Sequence, residues 1–173
     1  MTTESVVELG RGWPGWVPRL VLMLSGLGAA GVLLLDPRVN GIALGFLIAF
    51  ALVVPWVPAT PAPAILIGGI AVAVAAGNGD VLRPEVLAEI PLLHLVHVSA
   101  SFGALVPVRA VIRPGAFARP LRRFVVVQAV TFAVAGVAAL LPTGRNPTVV
   151  EFAGLVASTG LVGVAIWLVA RRR

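Results

Sequence analysis

Two histidines, His94 and His97, lie three residues apart in the apolar stretch LLHLVHVSASFGAL, which covers residues 92–105. They are the only histidines of the chain, and the imidazole is the side chain that titrates most readily near neutral pH. On an α-helix, a spacing of three residues places both rings on one face. Because such groups are costly in hydrocarbon, they normally face a bundle interior or a cavity, so the pair is the first candidate for chemistry.

The nearest polar side chains extend this face and continue it on a later apolar run. Ser101 follows His97 by four residues, and Gln128 and Thr131 are themselves three apart. Hydrogen bonds between helices in a membrane contribute about 0.5–2 kcal/mol each, so these groups are suitable partners. The predicted intramembrane polar stripe is therefore His94, His97, Ser101, Gln128 and Thr131.

Three interpretations of the stripe remain open: a packed polar contact, which we prefer, a path for protons or substrate, and a metal site. Two imidazoles suit copper or zinc, which makes His94 and His97 the candidate metal ligands. The chain has no cysteine to supply a thiolate. A haem with two histidine ligands needs them on opposite sides of its ring, which one helix face does not provide. We predict no cofactor, with copper or zinc as the alternative.

Catalytic patterns are lacking in the sequence. It contains no glycine-rich phosphate loop, no nucleophile elbow and no HExxH. Glu85 or Glu89 with His94 could form an acid–base pair at a membrane surface, but nothing in their spacing favours this over a structural role. We therefore predict that the protein is not an enzyme.

The composition indicates a membrane protein. Hydrophobic residues make up 59% of the 173 residues and charged residues 12%, whereas a soluble domain has about 45–50% and about 25%. A soluble chain of this size could not bury so much apolar surface. The net charge of +6 would suit nucleic acid, but the arginines cluster at the ends of apolar runs, where membrane topology accounts for them. We therefore predict no nucleic-acid partner.

Six apolar runs predict an all-α fold, a polytopic bundle of six transmembrane helices in one domain that covers residues 19–173. A short segment, residues 1–18, precedes it with Trp13 and Trp16 placed for a membrane interface. The predicted spans are about 20–35, 41–57, 62–76, 90–112, 124–141 and 149–170. The proline-rich segment Pro55–Pro63 leaves one alternative open, in which residues 41–76 form a re-entrant pair.

Arginine positions predict the orientation. With six spans, ten arginines fall on the side of the termini, and Arg38, Arg83 and Arg145 fall on the other. The positive-inside rule then places both termini in the cytoplasm, and we predict a multi-pass protein of the bacterial cytoplasmic (inner) membrane. A basic cytoplasmic loop carries Arg113, Arg119, Arg122 and Arg123. It is first a topology determinant and could also bind anionic lipid headgroups or a partner.

These observations predict a non-catalytic accessory or scaffold protein that acts through helix packing. Its partners would be the lipid bilayer and either another membrane protein or further copies of itself. The alternative is a small transporter or a copper- or zinc-handling membrane protein that uses His94 and His97.

Overall fold

The computed structural model describes residues 12–76 and 82–139 of the chain. Within this part the protein is mostly helical, and the all-α class predicted from the sequence is confirmed. Nearly all of these residues belong to one compact unit, Met1–Ala135. The second unit, Gly136–Arg173, contributes to the described part only the last residues of one helix. The predicted sixth span, residues 149–170, lies outside the described residues.

Three short apolar helices come first: α1 (Val17–Leu33), α2 (Gly41–Val53) and α3 (Ala62–Ala76). Asn40 begins α2, because its side-chain oxygen accepts hydrogen bonds from the backbone N–H groups of Ile42 at 2.8 Å and Ala43 at 3.4 Å. This satisfies donors that have no partner in the first turn of a helix. A 3-10 helix, Val54–Trp56, continues α2, and the prolines that follow end helical structure because they lack the N–H donor.

Two longer helices follow, α4 (Pro84–Leu105) and α5 (Ala118–Ala139), each of 22 residues. Helix α4 begins before the predicted start at residue 90, because Pro84 suits the first helical position, and Pro91 lies inside the helix. It ends well before the predicted residue 112. Val106 precedes a proline and adopts the extended conformation, with φ −103° and ψ 120°, that this position favours.

Helix α5 also begins earlier than the predicted span, which was placed at residues 124–141. A 3-10 turn, Pro114–Phe117, leads directly into it at Ala118. The first two turns of α5 therefore carry Arg119, Arg122 and Arg123. These arginines were predicted to lie in a loop, and the structure places them on the helix.

Helices α1 and α4 run antiparallel and form the most extensive contact between helices in the described part. Gly26 in the middle of α1 lets α2 and α3 approach as well. A Cβ atom at this position would lie 3.1 Å from Cδ2 of Leu66 and 3.3 Å from Cβ of Ala51. The resulting core is apolar, and its most deeply buried side chains are those of Leu22, Ala29, Ala30, Ala51, Val54, Leu66, Ile70 and Val96.

The turn between α2 and α3 reaches the end of the unit where α1 begins and α4 ends. A Cβ atom at Gly103, in the last turn of α4, would lie 3.3 Å from Cβ of Pro58 and 3.4 Å from Cγ of Arg19. Pro58 belongs to this turn, and Arg19 belongs to the first turn of α1. The pair α2–α3 therefore extends along α1 as far as its N-terminal end.

A two-residue strand pair covers this end. Strand β1 (Trp13–Pro14) pairs antiparallel with β2 (Val111–Ile112), and the N–H of Gly15 donates to the carbonyl of Ala110 at 2.6 Å. A Cβ atom at Gly15 would lie only 2.9 Å from that carbonyl oxygen, so the close approach of the two backbones requires glycine. The segment before α1 is thereby tied to the segment after α4.

Two of the described helical segments, Pro84–Leu105 and Pro114–Val137, are long and apolar enough to cross a membrane. Helices α1, α2 and α3 are shorter. At about 1.5 Å per residue, even α1 covers only about 26 Å, against about 30 Å of hydrocarbon. The described part therefore provides two candidate membrane spans, and the predicted arrangement of six spans is not confirmed.

The contact at Gly26 leads to a stability prediction. We expect Gly26→Val to lower the free energy of unfolding by about 1–3 kcal/mol, because the added methyl groups must displace Leu66 and Ala51 in a packed core. The measurement is denaturant unfolding of the purified protein in detergent micelles, followed by far-ultraviolet circular dichroism.

Gly31→Val is the matched control on the same helix, because nothing lies within 4 Å of a Cβ atom built at Gly31. We expect it to change the free energy of unfolding by less than about 0.5 kcal/mol. An equal decrease in the free energy of unfolding in the two variants would contradict the close packing of Gly26 against Leu66 and Ala51.

Candidate functional site

His94 and Gln128 meet between α4 and α5. Nε2 of Gln128 lies 2.8 Å from Nδ1 of His94, and the His94 ring lies against Phe124, with ring centroids 4.8 Å apart. When the amide of Gln128 donates, Nδ1 of His94 accepts and the ring proton resides on Nε2. Of the residues of the predicted polar stripe, this is the pair whose side chains the structure joins.

The remaining stripe residues point elsewhere. His97 and Ser101 are exposed, and the Ser101 hydroxyl donates to the carbonyl of His97 on its own helix at 3.0 Å. Thr131 likewise donates to the carbonyl of Val127 in α5, at 2.9 Å. The serine on the buried side of α4 is Ser99 rather than Ser101, and its hydroxyl also bonds to the backbone of its own helix.

A metal site is not assembled within the described part. No group of three or more histidine and carboxylate side chains converges there in a way that could hold a metal ion. Nδ1 of His94 is paired with Gln128, while the side chain of His97 is exposed. The two candidate ligands therefore differ in their surroundings, and a metal site that uses both stays a prediction.

An ion pair joins the far ends of α1 and α4. Nη1 of Arg83 lies 2.7 Å from Oδ2 of Asp36, and the other terminal nitrogen of Arg83 donates to the carbonyl of Val74 at 3.4 Å. Val74 lies in the last turn of α3, where a cation compensates carbonyl groups that have no helical partner. The N–H of Arg38, at 3.0 Å, and the Arg83 guanidinium lower the pKa of Asp36.

Glu89 is the most deeply buried charged side chain of the described part, with 3% of its surface exposed. Neither carboxylate oxygen has a hydrogen-bond partner among the described residues, and the same holds for Nε of Arg83. Both side chains line a small cavity of about 10 Å³, together with Asp36, Glu85 and the apolar side chains of Val32, Leu33, Val74 and Val86. A cavity of this volume accommodates about one water molecule. We call it the Glu89 cavity.

Basic and aromatic side chains occupy the opposite end of the unit. Nη2 of Arg19 donates to the carbonyl of Gly103 at 3.0 Å, so a cation meets the C-terminal end of α4 as the helix dipole favours. Trp16 and Trp56 line one pocket beside Arg19. The predicted basic residues lie in the segments next to this end, and all four are exposed: Arg113, Arg119, Arg122 and Arg123.

Sequence reasoning did not identify the contacts of Asp36, Arg83 and Arg19. In the sequence each of them stands next to an apolar run, where a charged residue serves as a topology marker. The only available signal was that Asp36 and Arg83 both lie at the outer ends of predicted spans, where opposite charges can meet. Glu89 was placed at the correct helix end, but periodicity did not predict that its carboxylate is buried.

The His94–Gln128 contact predicts a measurable contribution to stability. We expect Gln128→Leu to lower the free energy of unfolding by about 0.5–2 kcal/mol, because the imidazole of His94 loses its partner between two helices. The measurement is denaturant unfolding in micelles. A double-mutant cycle with His94→Phe measures the interaction energy of the two side chains. If they interact, the double variant should lose less free energy of unfolding than the sum of the two single variants.

Thr131→Val serves as the control on α5, because its hydroxyl bonds only to its own helix. We expect a change of less than about 0.5 kcal/mol for this variant. Additive losses for Gln128→Leu and His94→Phe would show that the two side chains do not interact.

No protein-family model, curated protein or solved structure matches this chain.

Proposed function

We propose that this chain is a multi-pass protein of the bacterial cytoplasmic membrane, with both termini in the cytoplasm. In this proposal it has no catalytic activity and acts as an accessory or scaffold protein through helix packing. Its partner is another membrane protein or a second copy of the chain. The observation that carries the proposal is the closed, apolar centre of the helical unit.

Charged groups of the α1–α4 core are concentrated at its two ends. The Glu89 cavity lies at one end and the Arg19–Gly103 contact at the other. Between them the core is formed by fully buried aliphatic side chains, such as those of Leu22 and Val96. The serines of this region bond to their own helices. Among the described residues no polar path joins the two ends, which supports a structural rather than a transporting role.

Helix α5 supports packing against a partner, because its apolar side chains are exposed rather than buried. Val126, Val130 and Val134 are 54%, 59% and 64% exposed. A helix of a soluble core would bury such side chains, so lipid or another protein is the suitable environment. Ala129 and Ala133 lie on the exposed surface of the same helix, and small residues four apart allow close approach of a second helix in lipid.

The two ends also support the proposed orientation. Arg19 and the basic residues that follow α4 lie at the end that carries Trp13, Trp16 and Trp56, whereas Arg38 and Arg83 follow α1 and precede α4 at the other. This distribution suits a cytoplasmic interface with basic and aromatic side chains. The position of Pro58 beside Gly103 supports two crossings by α2 and α3 over a re-entrant pair. Because both helices are shorter than the hydrocarbon is thick, such crossings require local thinning of the bilayer.

A second candidate function, a small transporter, is favoured by Glu89. An ionisable side chain buried in a membrane helix is expensive and marks many ion and proton pathways. The carboxylate shares the Glu89 cavity with the guanidinium of Arg83, so a proton or a small cation could be bound there. The metal-handling form of this alternative relies on His94 and His97, and it has less support because Nδ1 of His94 is already paired with Gln128.

The accessory role predicts a specific neighbour for α5. With a photo-crosslinking amino acid at position 126 or 130, we expect one discrete protein adduct in native bacterial membranes, whose mass identifies a second polypeptide or a second copy. Ala129→Leu with Ala133→Leu should weaken this adduct at least about tenfold, because the larger side chains hold the partner helix away. The measurement is immunoblotting followed by mass spectrometry.

The control places the same amino acid at Val72, which is 69% exposed on α3. We expect only lipid adducts from this position. Lipid adducts alone from positions 126 and 130 as well would contradict the proposed packing role.

Glu89 separates the two candidate functions. Reconstituted in vesicles under a pH gradient and a potassium diffusion potential, the wild-type protein should pass protons no faster than empty vesicles, because its centre is closed. Glu89→Gln and the double variant His94→Ala with His97→Ala should behave in the same way. A pH-sensitive dye inside the vesicles reports the flux.

Flux in the wild type that is lost in Glu89→Gln and retained in Glu85→Gln would identify a transporter. Glu85 is the suitable control because it lines the same cavity and is only partly buried.

A further inference from the structure

An apolar groove lies between α5 and the α1–α4 pair, at the end that carries Arg19. Its volume is about 420 Å³, which falls within the range of about 300–1,000 Å³ typical of ligand sites. Its lining is almost entirely hydrocarbon and aromatic. Its lining includes Trp13, Val98, Phe102, Phe117, Pro120 and Phe124.

Aromatic rings form the end of the groove that is nearest to the basic residues. The ring centroids of Trp13 and Phe117 are 5.6 Å apart, and those of Phe102 and Phe117 are 5.3 Å apart. Phe117 is followed directly by α5, so the groove ends where the N-terminal turn of that helix begins. One mouth of an apolar groove therefore adjoins a helix N-terminus.

Positive charge accumulates at this mouth without compensation from the described part. Arg119, Arg122 and Arg123 occupy the first two turns of α5, where the helix dipole and their mutual repulsion both disfavour cations. The acidic residues of the described part all lie at the opposite end of α4: Asp36, Glu85 and Glu89. An anion bound at the N-terminal end of α5 would reduce both the unfavourable interaction of the arginines with the helix dipole and their repulsion of one another.

Helical geometry places two of these arginines beside the groove. Pro120 and Phe124 line it, and Arg119 and Arg123 each precede one of them by one residue. At about 100° per residue, the two arginines share one flank of α5 next to the lining residues. Their guanidinium groups can therefore reach a ligand whose apolar part lies in the groove.

We propose that this groove binds an acyl chain of an anionic phospholipid, and that Arg119 and Arg123 bind its phosphate at the N-terminal end of α5. Guanidinium groups bind phosphate through charge-assisted and often bidentate hydrogen bonds, which two arginines four residues apart on one helix can supply together. A bound peptide is disfavoured, because the hydrocarbon lining offers its backbone no hydrogen-bond partners. The site is distinct from the Glu89 cavity and from the exposed α5 surface proposed to contact a partner.

Trp13 supplies a local reporter for the test. The full chain with Trp16, Trp56 and Trp167 replaced by phenylalanine is purified in mixed micelles. Lipids with brominated acyl chains, either phosphatidylglycerol or phosphatidylcholine, are then titrated in and quench the remaining tryptophan. We expect half-maximal quenching at about a tenfold lower mole fraction of the anionic lipid, because two arginines select its charge. Equal quenching curves for the two lipids would overturn the proposal.

Matched variants separate a site from general attraction to an anionic surface. Arg119→Gln with Arg123→Gln should remove the preference for phosphatidylglycerol, whereas Arg109→Gln with Arg113→Gln, which removes the same charge nearby, should retain it. Arg119→Lys with Arg123→Lys keeps the charge and should keep most of the preference. Val98→Phe narrows the groove and should weaken quenching by both lipids. Equal effects of the two glutamine pairs, or no effect of Val98→Phe, would overturn the proposal.

Discussion

The antiparallel contact between α1 and α4 is the constraint on which the described structure depends. Small residues on α1 let the helices approach closely, and a polar contact clamps each end of the pair: Asp36 with Arg83 at one, Arg19 with the carbonyl of Gly103 at the other. In both clamps an arginine also compensates the C-terminal carbonyl groups of a helix. Because these polar contacts hold the two ends of the α1–α4 pair together, the core between them can consist of packed aliphatic side chains alone.

This arrangement determines where each face of α4 points. The face that meets α1 carries Val96, Ser99, Ala100 and Gly103, so His97 and Ser101 are turned away from the core. His94 lies at the edge of that face and reaches Gln128 on α5. The polar stripe that looks continuous on a helical wheel is therefore divided: His94 lies on the side that meets α5, and His97 and Ser101 are exposed.

The sequence was sufficient for the helical class and for the approximate positions of α1, α2 and α3, because long apolar runs bounded by prolines and glycines leave little choice. It also named Gln128 among the suitable partners of the histidines. Helix ends were less predictable. Apolar composition continues past Leu105, and only the conformational restriction of Val106 by the following proline ends α4. The basic residues before Phe124 look like a loop by hydropathy, although arginine is a good helix former.

The clamps at Asp36, Arg83 and Arg19 could not be derived from local patterns, since they join residues far apart in sequence. They also explain why chemistry is hard to locate in this chain. Charged groups that carry function in many membrane proteins are here occupied in holding helix ends, which leaves Glu89 as the buried charge without a described partner. Helix α5 meets α4 at His94, which contacts Phe124 and Gln128, and it lies outside this clamped core. The contacts with a partner and with lipid that we propose use its exposed valines and its basic first turns, and they leave the α1–α4 pair undisturbed.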